Sequence, residues 1–305
     1  MRCHDRCTHW VRSVTSGDLS SRELGETGQP VVVLPGSPLD RLSGESGQPV
    51  IVLWGAIDHD TVRSVETAVG TMNIEGPLTL VLSSRGGRAM AAFKIGMLLQ
   101  AASSHLRVVV PRGARSAATL LTLAADSLML SKVAELGPLD ASLTLRPIKG
   151  RDVMTWSTAD LPYLSQVASD WFDGDAVAMF RALSLDNPTL AALSGLYKAE
   201  ASIRQIARRL LAGRRCGVAS GDEMLERLLS DYVSHDFPIL RDEARDLGLP
   251  ITAPNEADDA MLSSAYRQCE ALVRLRSDYG DARHHLILGG PPGWHFVDDP
   301  AAGAS

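Results

Sequence analysis

The chain has 305 residues, a formal net charge of −6 and 45% hydrophobic residues. At roughly 100–200 residues per domain, this allows one large core with tails or two small ones. The acidic balance argues against a nucleic-acid binder, whose phosphate-facing surface is basic, and no window holds the ~18 apolar residues of a membrane span.

Residues 1–28 are polar and turn-rich and are expected to form a flexible N-terminal segment. The opening Met1-Arg2-Cys3-His4-Asp5-Arg6 has no apolar run behind it, so it does not read as a signal peptide. Cys3, Cys7, Cys216 and Cys269 show no disulfide framework, which favours a reducing cytoplasm. Cys3, His4, Cys7 and His9 make an isolated half-site at a terminus, and neither a metal nor any other cofactor is expected.

A short duplication follows, with 28–34 echoed by 47–53. It reads as two similar strands, set as a hairpin, before a helix over 60–72. Pro77-Leu78-Thr79-Leu80-Val81-Leu82 reads as a buried strand that runs into Ser83-Ser84-Arg85-Gly86-Gly87 and a helix over 88–103. Two glycines at a strand end permit a positive-φ turn and close backbone approach to a ligand, and their N–H groups can face an anion. A third strand–helix unit contains Val108-Val109-Val110-Pro111-Arg112-Gly113-Ala114-Arg115-Ser116-Ala117-Ala118-Thr119. Here a β-branched run ends in a Pro/Gly turn, and a small-residue helix begins at Ser116. A hydroxyl at a helix N-terminus meets free N–H groups and a favourable dipole for negative charge. That suits a nucleophile whose attack creates an oxyanion. The same position also suits a simple N-cap.

Beyond residue 143 the pattern turns helical, over 160–171, 175–183, 188–212, 222–232, 242–247 and 255–278, with Asn187 and Asn255 as N-caps. Arg204, Arg208, Arg209, Arg214 and Arg215 form a strip read as a solvated helix face. The tail over 284–296 is apolar but full of breakers, and is expected to dock on a neighbouring subunit or to remain loose.

Four segments then carry a resemblance. Leu82-Ser83-Ser84-Arg85-Gly86-Gly87 resembles an H-T-P-G-G oxyanion turn, and Ala114-Arg115-Ser116-Ala117-Ala118-Thr119 resembles A-M-S-A-G-T around a nucleophile. Glu135-Leu136-Gly137-Pro138-Leu139-Asp140 resembles an L-G-P-x-D segment. Ser234-His235-Asp236-Phe237-Pro238-Ile239, with Leu247-Gly248-Leu249-Pro250, resembles T-H-D-Y-P-I and G-L-P-V. In this order and spacing, over about 49–251, they are similar to the Clp-fold serine proteases. The closest group is the serine dehydrogenase proteinases, related to signal-peptide peptidase A within the Clp/crotonase superfamily. Arg85 stands where that family has proline, Ala118 where it has glycine, and Ala141-Ser142 where it has Pro-Gln.

The resemblance implies an α/β Clp/crotonase-like fold with a helical C-terminal portion: a peptidase domain over 29–251, then a helix and tail over 252–305. It implies Ser116 as nucleophile, the N–H groups of Gly87 and Ala117 as oxyanion hole and Gly86 shaping the turn, in a self-associating peptidase acting on peptides or proteins. Any unfolding of substrates would need a partner protein.

The base is open. No histidine lies between His105 and His235, which argues against the usual Clp triad. A desolvated lysine can take a serine proton, whereas arginine stays protonated. The chain has only four lysines: Lys94, Lys132, Lys149 and Lys198. Lys198 lies among Ala191, Ser194, Gly195, Ala201, Ser202 and Gln205, a carboxylate-free stripe that would let another backbone desolvate it, so it is preferred over Lys149. His235 and Asp236 read as a structural lock in preference to a group orienting the dyad. Two other readings stay open: a crotonase-type acyl-CoA enzyme, which uses the same paired amides, and a catalytically silent scaffold.

Overall fold

The computed structural model describes residues 41–42, 47–72, 74–145, 154–158, 163–175, 177–179, 181, 189–215, 221–278, 286–290 and 295–296. A seven-stranded sheet organises them, in the order β10-β5-β3-β2-β1-β11-β12. Its strands are β1 (Val50–Trp54), β2 (Pro77–Ser83), β3 (His105–Val110), β5 (Ser127–Leu130), β10 (Ile251–Thr252), β11 (Leu286–Gly290) and β12 (His295–Phe296). The run from β10 to β1 is parallel. Helices α1 (His59–Thr71), α2 (Ala89–Ala102) and α3 (Ala117–Thr122) follow β1, β2 and β3 in turn. This is the repeated strand–helix unit expected from the sequence.

The strands are apolar on both faces because both faces are covered. Ile51, Leu53, Leu78, Leu80, Leu82, Val108 and Leu128 point into the larger core, shared with α1, α2 and α3. The alternate residues Val50, Val52, Val81, Val109 and Met129 meet Leu262, Ala265 and Cys269. These last three lie on α8 (Glu256–Asp278), spaced as one face of a helix. Asn255 begins this helix as expected, accepting from the Asp258 N–H at 2.9 Å.

The remaining helices among the described residues are α4 (Tyr163–Trp171), α5 (Thr189–Ala212), α6 (Gly221–Ser230) and α7 (Arg241–Asp246). Gly96 of α2 lets α5 approach closely: a Cβ there would lie 2.6 Å from Leu210 Cδ2. The arginine strip of α5 is not uniformly solvated. Arg204 and Arg208 pair with carboxylates, and Arg214 is buried with its Nε donating to the Leu123 carbonyl at 2.8 Å.

The first copy of the duplication and the Asn187 cap fall outside the described residues. The antiparallel neighbour of β1 is β11. The register runs from Val50 opposite Gly290 to Trp54 opposite Leu286. The 286–290 part of the tail therefore docks on its own sheet, where it satisfies the backbone of β1. No described helix is long and apolar enough to cross a membrane.

Candidate active site

The site lies beyond the carboxyl ends of β2 and β3, where open parallel sheets gather ligands. Two loops are joined there by main-chain bonds. Ser84 N–H donates to the Gly113 carbonyl and Arg115 N–H to the Ser84 carbonyl, both at 3.0 Å. A small second sheet secures the outer loop: β4 (Gly113–Ala114) pairs with β6 (Glu135–Leu136), and β6 with β9 (Ile239–Leu240).

Ser116 stands at the N-cap position of α3, but its side chain makes no capping hydrogen bond. Its backbone is left-handed, φ 53° and ψ −120°, one of only two non-glycine residues with positive φ among those described. Such a conformation is costly for a residue with a Cβ and persists where the surroundings impose it. The surroundings here are specific. Thr119 Oγ1 donates to the Ala114 carbonyl at 2.7 Å and accepts from the Gly137 N–H at 3.0 Å. That residue locks α3 both to the loop before it and to the segment after β6.

Gly86 and Gly87 have φ of 104° and 147°. A Cβ on Gly86 would fall 2.7 Å from the Arg115 carbonyl oxygen and 2.8 Å from Ser116 Cβ; one on Gly87 would fall 2.2 Å from the Ile57 carbonyl oxygen. Both positions therefore require glycine. The Gly86 N–H is used by Ser84 Oγ at 3.0 Å. Neither Gly87 N–H nor Ala117 N–H donates to a main-chain carbonyl among the described residues. A cavity of about 230 Å³ is lined by Gly87, Ser116, Ala117, Leu120, Leu139 and Asp140, with Ala199, Ser202 and Ile203 of α5 among its other walls. The structure thus brings together Ser116, Gly87 and Ala117, with Gly86 packed beneath.

Asp140 is the residue that the sequence reading did not single out. Its side chain is 1% exposed, and it accepts from Ser157 Oγ at 2.5 Å and bonds His235 Nδ1. Burial works to raise its carboxyl pKa, but the bonds from His235 and Ser157 outweigh it and hold the carboxyl below its usual range. The same bond to Asp140 raises the His235 pKa against the effect of partial burial. Next to each partner lies a second tether: Arg115, adjacent to Ser116, pairs with Asp236, adjacent to His235, at 3.1 Å, and with Glu135 at 2.8 Å. The signal for Asp140 in the sequence was the L-G-P-x-D segment itself.

The lysines stand differently. Lys198 is exposed, as are Ser194, Ala201 and Gln205 of the stripe around it. The packed face of α5 carries Leu196, Ile206, Ala207 and Leu210. The stripe is divided: Ser194, Ala201 and Gln205 are exposed like Lys198, whereas Gly195 and Ser202 are half-buried and Ser202 lines the cavity with Ala199. Lys149 lies outside the described residues, as do Cys3, His4, Cys7 and His9. Among the described residues no group of three or more His, Cys, Asp or Glu could hold a metal.

Ser116 thus sits on a strained strand-to-helix turn, free of a capping bond, on a cavity it shares with Gly87 and Ala117. Residues 47–151, about a third of the chain, match the family described as ClpP-like SDH-type serine proteinase. Two uncharacterized proteins of Methanocaldococcus jannaschii are similar as well. MJ0137 is 27% identical over 192 residues, covering 63% of this chain and 59% of that protein. MJ1495 is 23% identical over 175 residues, covering 57% and 52%. The chain therefore spans little more than half the length of these relatives. Among solved structures, a serine-to-alanine mutant of the 1510-N membrane-bound stomatin-specific protease aligns with TM-score 0.41 at 14% identity, over 68% of this chain and 80% of that one. A lysine-to-alanine mutant of the same protease, in complex with a substrate peptide, aligns with TM-score 0.39 at 16% identity, over 68% and 76%. A ClpP1 mutant from Listeria monocytogenes aligns with TM-score 0.35 at 15% identity, over 69% and 94%.

Proposed function

We propose that the chain is a serine endopeptidase in which Ser116 Oγ attacks the peptide carbonyl. The N–H groups of Gly87 and Ala117 hold the oxyanion, where preorganised donors stabilise charge as it develops. The observation that carries the reading is the left-handed Ser116, with no capping bond, on a cavity shared with both amides.

For the proton acceptor, the geometry favours His235. Asp140, on the wall of the Ser116 cavity, bonds its Nδ1, and the Arg115–Asp236 pair ties the two loops together from the other side. In this reading His235 Nε2 takes the serine proton and returns it to the leaving amine, and the same nitrogen then activates the water that hydrolyses the acyl-enzyme. Asp140 fixes the tautomer and stabilises the imidazolium, as in other serine–histidine–carboxylate sites. Lys198 is the second reading, since Ala199, Ser202 and Ile203 of its helix line the cavity. A cytoplasmic location and self-association belong to the same proposal, resting on the cysteine usage and on the family resemblance.

A serine-directed fluorophosphonate with peptide mapping tests the nucleophile: label on Ser116, and none on Ser116→Ala, is expected. The base is tested by the pH profile of kcat/KM. Because Asp140 raises the His235 pKa, a histidine-dependent rise lies above the ordinary value of about 6.5, and burial moves a lysine-dependent rise the other way, below its ordinary value. Its position alone does not separate the two. Asp140→Asn does: it should move a histidine limb to lower pH and leave a lysine limb in place. Loss of the limb in Lys198→Ala but not in His235→Gln would assign the lysine.

A further inference from the structure

Two guanidinium groups border the glycine turn. Arg85 immediately precedes Gly86, and Arg88 stands between the cavity-lining residues Gly87 and Ala89. Both are exposed, and among the described residues neither side chain has a hydrogen-bond or ion-pair partner. The arginines of the surrounding framework differ: Arg115 is neutralised by Glu135 and Asp236, Arg204 by Glu200 and Glu226, and Arg208 by Asp222. Across the cavity, Lys198 is another exposed cation beside a lining residue. Among the described lining residues the one carboxylate, Asp140, is engaged by His235 and Ser157. In a chain of net charge −6, Arg85 and Arg88 thus set two cations next to the lining residue Gly87 and its turn, while Leu120, Leu139 and Ile203 give the cavity apolar walls.

We propose that the cavity selects acidic peptide segments: an apolar side chain enters between Leu120, Leu139 and Ile203, and Arg85 and Arg88 receive carboxylates flanking the bond at Ser116. This specificity rests on the serine-peptidase reading. Guanidinium is suited to the task because it stays charged and presents a planar fork that matches a carboxylate. Exposed pairs are each worth only about a few-fold in affinity, so the two arginines together should give a preference of about three- to tenfold. The preference must also weaken with salt, because the Debye length falls from about 10 Å at 0.1 M to about 3 Å at 1 M.

The test uses the full chain carrying Ser116→Ala, so that binding is read without turnover. Fluorescein-labelled peptides share an apolar centre and carry Glu or Gln on both flanks, each made with a free or an amidated C-terminus. Fluorescence anisotropy should show the Glu peptides binding about three- to tenfold tighter at low salt, whichever C-terminus they carry. The ratio should approach one at high salt and in the Arg85→Gln/Arg88→Gln double variant. Equal binding of Glu and Gln peptides, a preference that survives in the double variant, or no binding at all would overturn the proposal. So would a preference that vanishes on amidation, which would assign the arginines to a terminal carboxylate. Failure of the peptidase reading is distinct: the chain with Ser116 intact would take no fluorophosphonate while the binding ratio persisted.

Discussion

Asp140 and His235 set each other's protonation, and their opposite shifts define a stability window. Asp140 is held below its ordinary pKa, so its contribution is present above the unfolded value of about 3.9 and is lost as pH falls through its lowered folded value. His235 is raised, so its contribution is complete below about 6.5 and is lost as pH rises through its folded value. Both hold between about pH 4 and 6.5. His235→Gln should therefore lower Tm most within that window, with the difference from the parent shrinking as pH rises above it. A Tm difference that is flat with pH would mean the imidazole serves only to fill space. At this scale the tight turns at Gly86, Gly87 and Ser116 were legible, because strand ends, glycines and small residues mark such turns locally. Asp140 was not: its partner is 95 residues away, and spacing carries no signal for a pair formed by folding.

The elements that build the site depend on residues with no chemistry of their own. Thr119 is the clearest, with one hydroxyl satisfying both the Ala114 carbonyl and the Gly137 N–H inside the core. Thr119→Val keeps the volume and removes both bonds, leaving two buried polar groups unpaired. Each such group costs about 1–3 kcal/mol, so the unfolding free energy from urea titration should fall by about 2–6 kcal/mol. Ser116 labelling should slow as the turn loosens. A loss below about 0.5 kcal/mol, the scale of ordinary surface changes, would show that the lock is dispensable. The helix boundaries were legible to within a few residues: 88–103 was expected and Ala89–Ala102 is found. The facing of α5 was not. Its small-residue stripe around Lys198 suggested a packed side, yet the buried side is the aliphatic one, since apolar area removed from water outweighs the closer approach that small residues permit.

At the scale of the whole molecule, the strand–helix alternation in the sequence marked the α/β repeat, and the structure adds that the sheet is covered on both faces. What escaped was the sheet's far side. The tail that closes it is broken by glycines and prolines, and pairing across more than 200 residues leaves no periodicity to read. Truncating the chain after residue 278 would remove β11 and expose the backbone edge of β1, an unpaired template for other strands. The site loops follow β2 and β3, which stay paired to each other and to β1 when β11 is gone. The shortened chain should therefore still label at Ser116. It should lose the ladder's hydrogen bonds, at about 0.5–1.5 kcal/mol net each, and with them several degrees of Tm. It should also associate with rising concentration in light scattering, because an open apolar edge pairs with its like. Loss of Ser116 labelling while the sheet stays folded by circular dichroism would mean instead that β11 holds the catalytic loops in place across the width of the sheet.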